Sequence, residues 1–189
     1  MRIRTATQAD LPAMARVQVE TKRAVYLGFY PPELLMQMSV EKTAAAWQKN
    51  LFDAPIHPGV FALVAEQDKD AVVGILIGGP EASRSLEGTG EIYVLYVLPA
   101  FERQGIGRAL VQTAARNLLQ AGYHRLLIWV LAENPARMFY EALGGKVVDR
   151  KEMDLNGYRL KEIGYGWKDL SQLLKNKKME DRHAEQSNS

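Results

Sequence analysis

The sequence predicts an α/β (α+β) domain with helices flanking one sheet, in the order β-α-α-β-β-β-α-β-α-β-β. Three observations carry this. An apolar strand over residues 91–98 stops at Pro99, and a short loop leads to Gly105-Ile106-Gly107 at the head of an amphipathic helix. A strongly apolar run over residues 123–131 follows that helix, as a buried strand does. Asn156-Gly157 then sits between two strand-like runs, which is the strongest short-range hairpin signal in the chain.

The remaining elements follow in order. Residues 2–6 read as a short first strand. Thr7, with Asp10 three residues on, marks a helix start with acidic charge in the first turn, and the helix runs to about Tyr26. Gly28 and Pro31-Pro32 break it. A second helical stretch covers residues 33–51 in two pieces, with Ser39 as a cap, and Pro55 and Pro58 close it. Residues 60–66 and 71–77 are strands around the polar turn 67–70. Residues 78–90, beginning Gly-Gly-Pro, read as a loop. The helix over residues 105–121 buries Ile106, Leu110, Ala114 and Leu118 on one face, and Gly122 ends it. A short helix is expected over 134–143, and a hairpin from strands 146–153 and 158–167.

The chain of 189 residues suits one domain with a sizeable core over residues 1–168. Residues 169–189 form a polar extension, helical over 171–178 and then without apolar periodicity. The net charge of +2 is nearly balanced and argues neither for nor against a nucleic-acid partner, so none is indicated. With no cysteine there is no disulfide frame, thiolate metal site or cysteine nucleophile, which suits a reducing cytoplasm. No segment reads as a signal peptide or as a bilayer span, so no membrane partner is expected. His57, His124 and His183 are scattered, so no metal is expected.

The Gly105–Gly107 loop aims free backbone N–H groups, at the positive end of a helix dipole, into one small space. That suits a phosphate or pyrophosphate. A dinucleotide fold fits poorly, because Leu110 stands where Gly or Ala is wanted and the loop after Leu98 is long. A nucleotide-triphosphate loop fits poorly too, because no Lys-Ser or Lys-Thr follows the second glycine.

The stretch 98–108, with Glu102-Arg103-Gln104-Gly105-Ile106-Gly107, resembles motif A of the GCN5-related N-acetyltransferases, although Glu102 departs from the usual Gln or Arg. A second block, Asn134 through Phe139-Tyr140 to Gly144-Gly145, resembles the same family's motif B. The resemblance implies a mixed, twisted and partly splayed sheet, and transfer of an acetyl group from acetyl-CoA to a small-molecule or protein amine by direct attack in a ternary complex. It implies that Arg103, Gln104, Gly105, Ile106, Gly107 and Arg108 hold the pyrophosphate. Backbone groups of Tyr96, Val97 and Leu98 pair with pantetheine, with the Val97 N–H best matched to the thioester carbonyl. Asn134 contacts the CoA arm, Arg137 meets a CoA phosphate, and Tyr140 faces the sulfur as general acid. Glu91 is the candidate base, with a strand-start surface charge as its alternative, and Glu133 is a weaker candidate. Tyr93 shares the face of Glu91. Tyr26, Phe29, Tyr30 and Trp47 are candidate walls of the acceptor site, or packing residues. The runner-up function is a non-catalytic acyl-CoA-binding sensor or scaffold of the same fold. Either a monomer or a homodimer is compatible.

Overall fold

The computed structural model describes residues 1–55, 57–67, 71–83 and 85–175. One seven-stranded sheet runs β1-β2-β3-β4-β5-β7-β6. Its strands are β1 (Arg2–Thr5), β2 (Phe61–Gln67), β3 (Ala71–Pro80), β4 (Thr89–Val97), β5 (Arg125–Leu131), β6 (Lys146–Leu155) and β7 (Tyr158–Trp167). Every neighbouring pair is antiparallel except β4 and β5. The helices are α1 (Leu11–Val25), α2 (Pro32–Gln37), α3 (Val40–Trp47), α4 (Ile106–Gln120) and α5 (Arg137–Ala142). This is the predicted order.

Local signals explain several boundaries. Asp10 accepts from the Thr7 backbone N–H at 2.7 Å and closes a capping box. Ser39 accepts from the Lys42 N–H at 3.1 Å and so separates α3 from α2. A π-helical stretch, Gln48–Asp53, continues from α3. At the β6–β7 turn Asn156 and Gly157 have φ of 54° and 88°, the left-handed pair that a tight hairpin requires.

α4 lies across β3 and β4. A Cβ at Gly74 would stand 3.2 Å from Ile106 and Leu110, and one at Gly90 2.6 Å from Leu118. The predicted apolar face of α4 is buried throughout, with Ile106, Leu110, Ala114 and Leu118 in the core. α1 adds Met14 and Val17, and Arg16 reaches the Val72 carbonyl at 3.0 Å.

Three expectations change. The sheet claims Gly78, Gly79 and Pro80, so β3 runs on through the expected loop. The helix of motif B begins at Arg137, because residues 134–136 form a side-chain-capped turn instead. After Trp167 the chain stays packed: a 3₁₀ turn, Leu170–Leu174, buries Leu170 and Leu173, and the Leu170 N–H donates to His124 at 2.9 Å. The rest of the expected extension, 176–189, lies outside the described residues, as does the turn 68–70.

Candidate active site

The site begins where two strands part. β4 and β5 pair from Thr89↔Arg125 to Ile92↔Ile128 and no further, although β4 continues to Val97 and β5 to Leu131. A bulge marks the parting. Ile77 faces Val94 and Gly78 faces Ile92, so Tyr93 is an extra residue on β4. Beyond it, one edge of β4 borders an open cleft.

Strand alternation decides which backbone groups face that cleft. The Leu98 N–H donates to the Val73 carbonyl at 2.9 Å, on the β3 side. The neighbouring Val97 N–H therefore points the opposite way, into the cleft. The Val97 carbonyl on that side accepts from the α1 hydroxyl of Thr21 at 3.2 Å. Leu98 is occupied at both ends, because its carbonyl accepts from Phe101 at 2.8 Å. Tyr96 lies opposite Ile75 of β3, and its ring rather than its backbone enters the cleft. Of the three expected backbone contacts, Val97 is the one that the geometry leaves open.

The glycine loop follows. A 3₁₀ turn, Pro99–Phe101, is succeeded by Arg103 and Gly105 at φ of 61° and 83°. The Gln104 side chain ties back to the Ala100 carbonyl at 3.3 Å. Gly105 is the N-cap of α4, and no side chain caps that helix. The first bond to Gly105 comes from Ala109 at 3.0 Å, so the N–H groups of Ile106, Gly107 and Arg108 have no partner within the helix. The two glycines do different work. A Cβ at Gly105 would meet open space, and the left-handed backbone is what selects glycine there. A Cβ at Gly107 would stand 3.3 Å from Phe139. Neither Arg103 nor Arg108 has an ion-pair partner among the described residues. This uncapped end with two unpaired cations is fit to receive an anion.

Motif B closes the cleft. The buried Asn134 accepts from the Ala136 N–H at 2.8 Å, which fixes its side chain. Tyr140 is buried, with its ring 5.4 Å from Phe139 and 5.9 Å from Tyr165. Burial pushes its phenol well above the usual range, and the Tyr26 hydroxyl adds to the push. Tyr26 ends α1 and meets Tyr96 edge-on, with ring centroids 6.4 Å apart, close enough to Asn134 for the two side chains to interact. Burial also raises the Tyr26 and Tyr96 phenols. Tyr26, Tyr96, Asn134 and Tyr140 thus form one cluster. The sequence places Tyr26 only among candidate walls of the acceptor site, and the aromatic run Tyr26, Phe29, Tyr30 is the signal for it. Phe29 and Tyr30 pack on Tyr26 at 5.2 and 5.7 Å.

Arg137 has a structural occupation. It donates to the Ala132 carbonyl at 2.9 Å and the Tyr165 hydroxyl at 3.2 Å, and the same hydroxyl donates to Glu141 at 2.5 Å. This ties α5 to β7.

Glu91 is not a surface charge. It is buried at 7 % exposure, and its carboxylate accepts from the Ala82 N–H at 2.9 Å. Burial raises its pKa above the ordinary carboxylate value, and the neighbouring Glu81 adds to this. Tyr93 donates to the Pro80 carbonyl. Glu133 and His124 are exposed and His57 is partly buried. Trp47 packs against the core and lines a groove of about 370 Å³ between α1, α2 and α3. Among the described residues no cluster could hold a metal, and no helix is long and apolar enough to cross a membrane.

Comparison with known proteins agrees with this geometry. The model of the acetyltransferase (GNAT) family matches residues 26–144. The chain is 34% identical over 171 residues to an uncharacterized N-acetyltransferase, YuaI, of Bacillus subtilis (strain 168), covering 90% of this chain and 95% of that one. In fold it resembles a ribosomal-protein-alanine N-acetyltransferase from Brucella melitensis, with a TM-score of 0.65 and 22% identity, covering 88% of this chain and 99% of that one. It also resembles the PaiA N-acetyltransferase from Thermoplasma acidophilum, solved with coenzyme A, with a TM-score of 0.61 and 22% identity, covering 86% and 96%.

Proposed function

The chain belongs to the acetyltransferase (GNAT) family and uses acetyl-CoA as its donor, and from that premise we propose how its own residues carry out the transfer. The acetyl group passes directly to an amine in a ternary complex at the parting of β4 and β5. One observation carries this reading: the unpaired Val97 N–H faces a cleft bounded by the uncapped end of α4 and by the Tyr140 cluster.

The N–H groups of residues 106–108, with Arg103 and Arg108, receive the pyrophosphate of the donor. Asn134 and the Val97 backbone hold its pantetheine arm, rather as an added strand is held. The Val97 N–H donates to the thioester oxygen and stabilises the negative charge that grows there. An alkylamine has a pKa of about 10.4 and must shed a proton before it attacks. Glu91, through water, takes that proton. Its raised pKa brings it nearer to neutrality, where a base is most effective. As nitrogen bonds to the carbonyl carbon, the carbon–sulfur bond breaks and Tyr140 gives its phenolic proton to the leaving sulfur, while the second proton of the attacking nitrogen leaves through water and restores the phenol. The leaving thiolate, whose acid has a pKa of about 8.5 in water, is a weaker base than a phenolate. Burial holds the Tyr140 phenol protonated, so it meets the sulfur as a hydrogen-bond donor and gives up its proton only as thiolate charge develops in the dry cleft.

Amine-dependent release of free CoA from acetyl-CoA, followed with a coloured thiol reagent over a panel of small amines, tests the reading. Acetyl-CoA binding without release on any amine would support a non-catalytic binder instead.

A further inference from the structure

A cation at the edge of the cleft lacks an anionic partner. The Nζ of Lys22 on α1 lies 5.0 Å from the centre of the Tyr30 ring and 5.5 Å from that of Tyr26. Among the described residues it makes no ion pair. The acidic residues nearest in the chain are engaged elsewhere: Glu20 pairs with Arg16, and Glu33 accepts from the Tyr158 hydroxyl at 3.1 Å. Burial against the two rings lowers the pKa of Lys22, the mark of an ammonium stripped of water and given no carboxylate in return. Ring faces hold a cation but supply no acceptor for its three N–H donors.

Its position ties it to the acyl site. Thr21, the preceding residue, hydrogen-bonds to the Val97 carbonyl. Tyr26, one turn on, joins the Tyr96 and Asn134 cluster. Negative charge collects elsewhere around the cleft. Glu162 acts electrostatically on both Tyr26 and Glu91, and its own ion pair is with Lys151 at 3.4 Å. Lys22 thus supplies positive charge at the Tyr26 and Tyr30 rings, and Glu162 supplies negative charge within electrostatic reach of Tyr26.

We propose that Lys22 is the anion-recognising residue of the acceptor site, and that the amine acetylated here also carries a carboxylate, as a free amino acid does. The inference rests on the transferase reading above. The acceptor carboxylate meets Lys22 and its ammonium faces the Glu91 side, so one group orients while the other loses its proton and attacks. A charge-assisted contact of this kind in a desolvated site is worth about 10- to 100-fold in kcat/KM.

The test is kcat/KM for a panel of free amino acids and the matching amino-acid amides, with the wild type, Lys22→Gln, Lys22→Met and Lys22→Arg. The wild type should favour acids over amides by about 10- to 100-fold. Lys22→Gln should abolish that preference, leaving the amide rates and the acetyl-CoA Kd within a few-fold. Lys22→Met keeps the aliphatic stem over both rings and carries the same expectation if the Gln variant folds poorly. Lys22→Arg should retain the preference for acids. A wild type indifferent to the carboxylate, or a preference surviving in the Gln and Met variants, overturns the assignment while transfer itself stands. A weakened acetyl-CoA Kd with an intact acid preference would place Lys22 in the donor site and also overturn it. Transfer to no amine in either series overturns this assignment, while the transferase reading is decided by the wider panel of small amines.

Discussion

Gly107 lies directly against Phe139, so that a Cβ on the glycine would stand 3.3 Å from the ring edge. The glycine loop and the motif B helix therefore meet at this contact, and the loop proposed to hold the donor is braced by the residue next to Tyr140.

The contact separates two substitutions that sequence alone would treat alike. Gly107→Ala asks the Phe139 ring to give by a few tenths of an ångström, so it should disturb turnover through the neighbouring Tyr140 more than it changes Tm. Gly105→Asp places its side chain in open space and in a backbone region that Asp tolerates better than most residues. It should leave far-UV circular dichroism unchanged while repelling the pyrophosphate, weakening acetyl-CoA by on the order of 10- to 100-fold in calorimetry. Unchanged affinity in Gly105→Asp would remove the loop from the donor site.

Glu91 should show opposite effects on stability and activity. Its pKa is raised in the folded state, so its favourable contribution is complete only below the unfolded value and is lost as pH rises through the folded one. At neutral pH the ionised, buried carboxylate is a cost. Glu91→Gln keeps an acceptor for the Ala82 N–H and removes the charge. Its Tm at pH 7 should equal or exceed that of the wild type, while kcat/KM falls and its dependence on pH changes. A variant with wild-type activity and the wild-type pH profile would exclude Glu91 as the base.

Away from the cleft, Arg4 binds both Asp10 oxygens at 2.7 Å and reaches Glu66 with its Nε, also at 2.7 Å. Hydrogen bonding from Arg4 holds the Asp10 carboxyl down at about 2. That contribution is present above the unfolded value of 3.8 and is lost as pH falls towards about 2. Arg4→Met would leave two buried carboxylates facing each other. It should cost about 2–3 kcal/mol in chemical denaturation, below the range for a fully buried pair because Arg4 is partly exposed. Specific activity of the folded fraction should not change.

How far these features could be read in the sequence depends on how local their causes are. Element order, the Ser39 cap, the Asn156-Gly157 hairpin and the apolar face of α4 follow from neighbouring residues, and each was legible. The continuation of β3 was not, because Gly78-Gly79-Pro80 carries breaker chemistry. Close packing explains two of those residues: a Cβ at Gly78 would stand 3.0 Å from the Glu91 carbonyl, and one at Gly79 3.0 Å from the Tyr93 hydroxyl. The burial of Glu91 depends on residues 80–82 folding back over it. The place of Tyr26 depends on the end of α1 meeting the parted strands, through contacts far apart in the chain. The use of Arg137 by Tyr165 and Glu141 is likewise a tertiary fact.

The most direct test of the account is the split between chemistry and binding in Tyr140→Phe. The phenol is assigned a proton that moves only as the sulfur leaves, so its loss should be felt in the transition state. On an acceptor confirmed for the wild type, kcat should fall on the order of 10²-fold, with the acetyl-CoA Kd by calorimetry within a few-fold of wild type. A kcat within a few-fold of wild type would contradict the account, leaving Tyr140 as a packing residue between Phe139 and Tyr165 and the leaving sulfur to another donor.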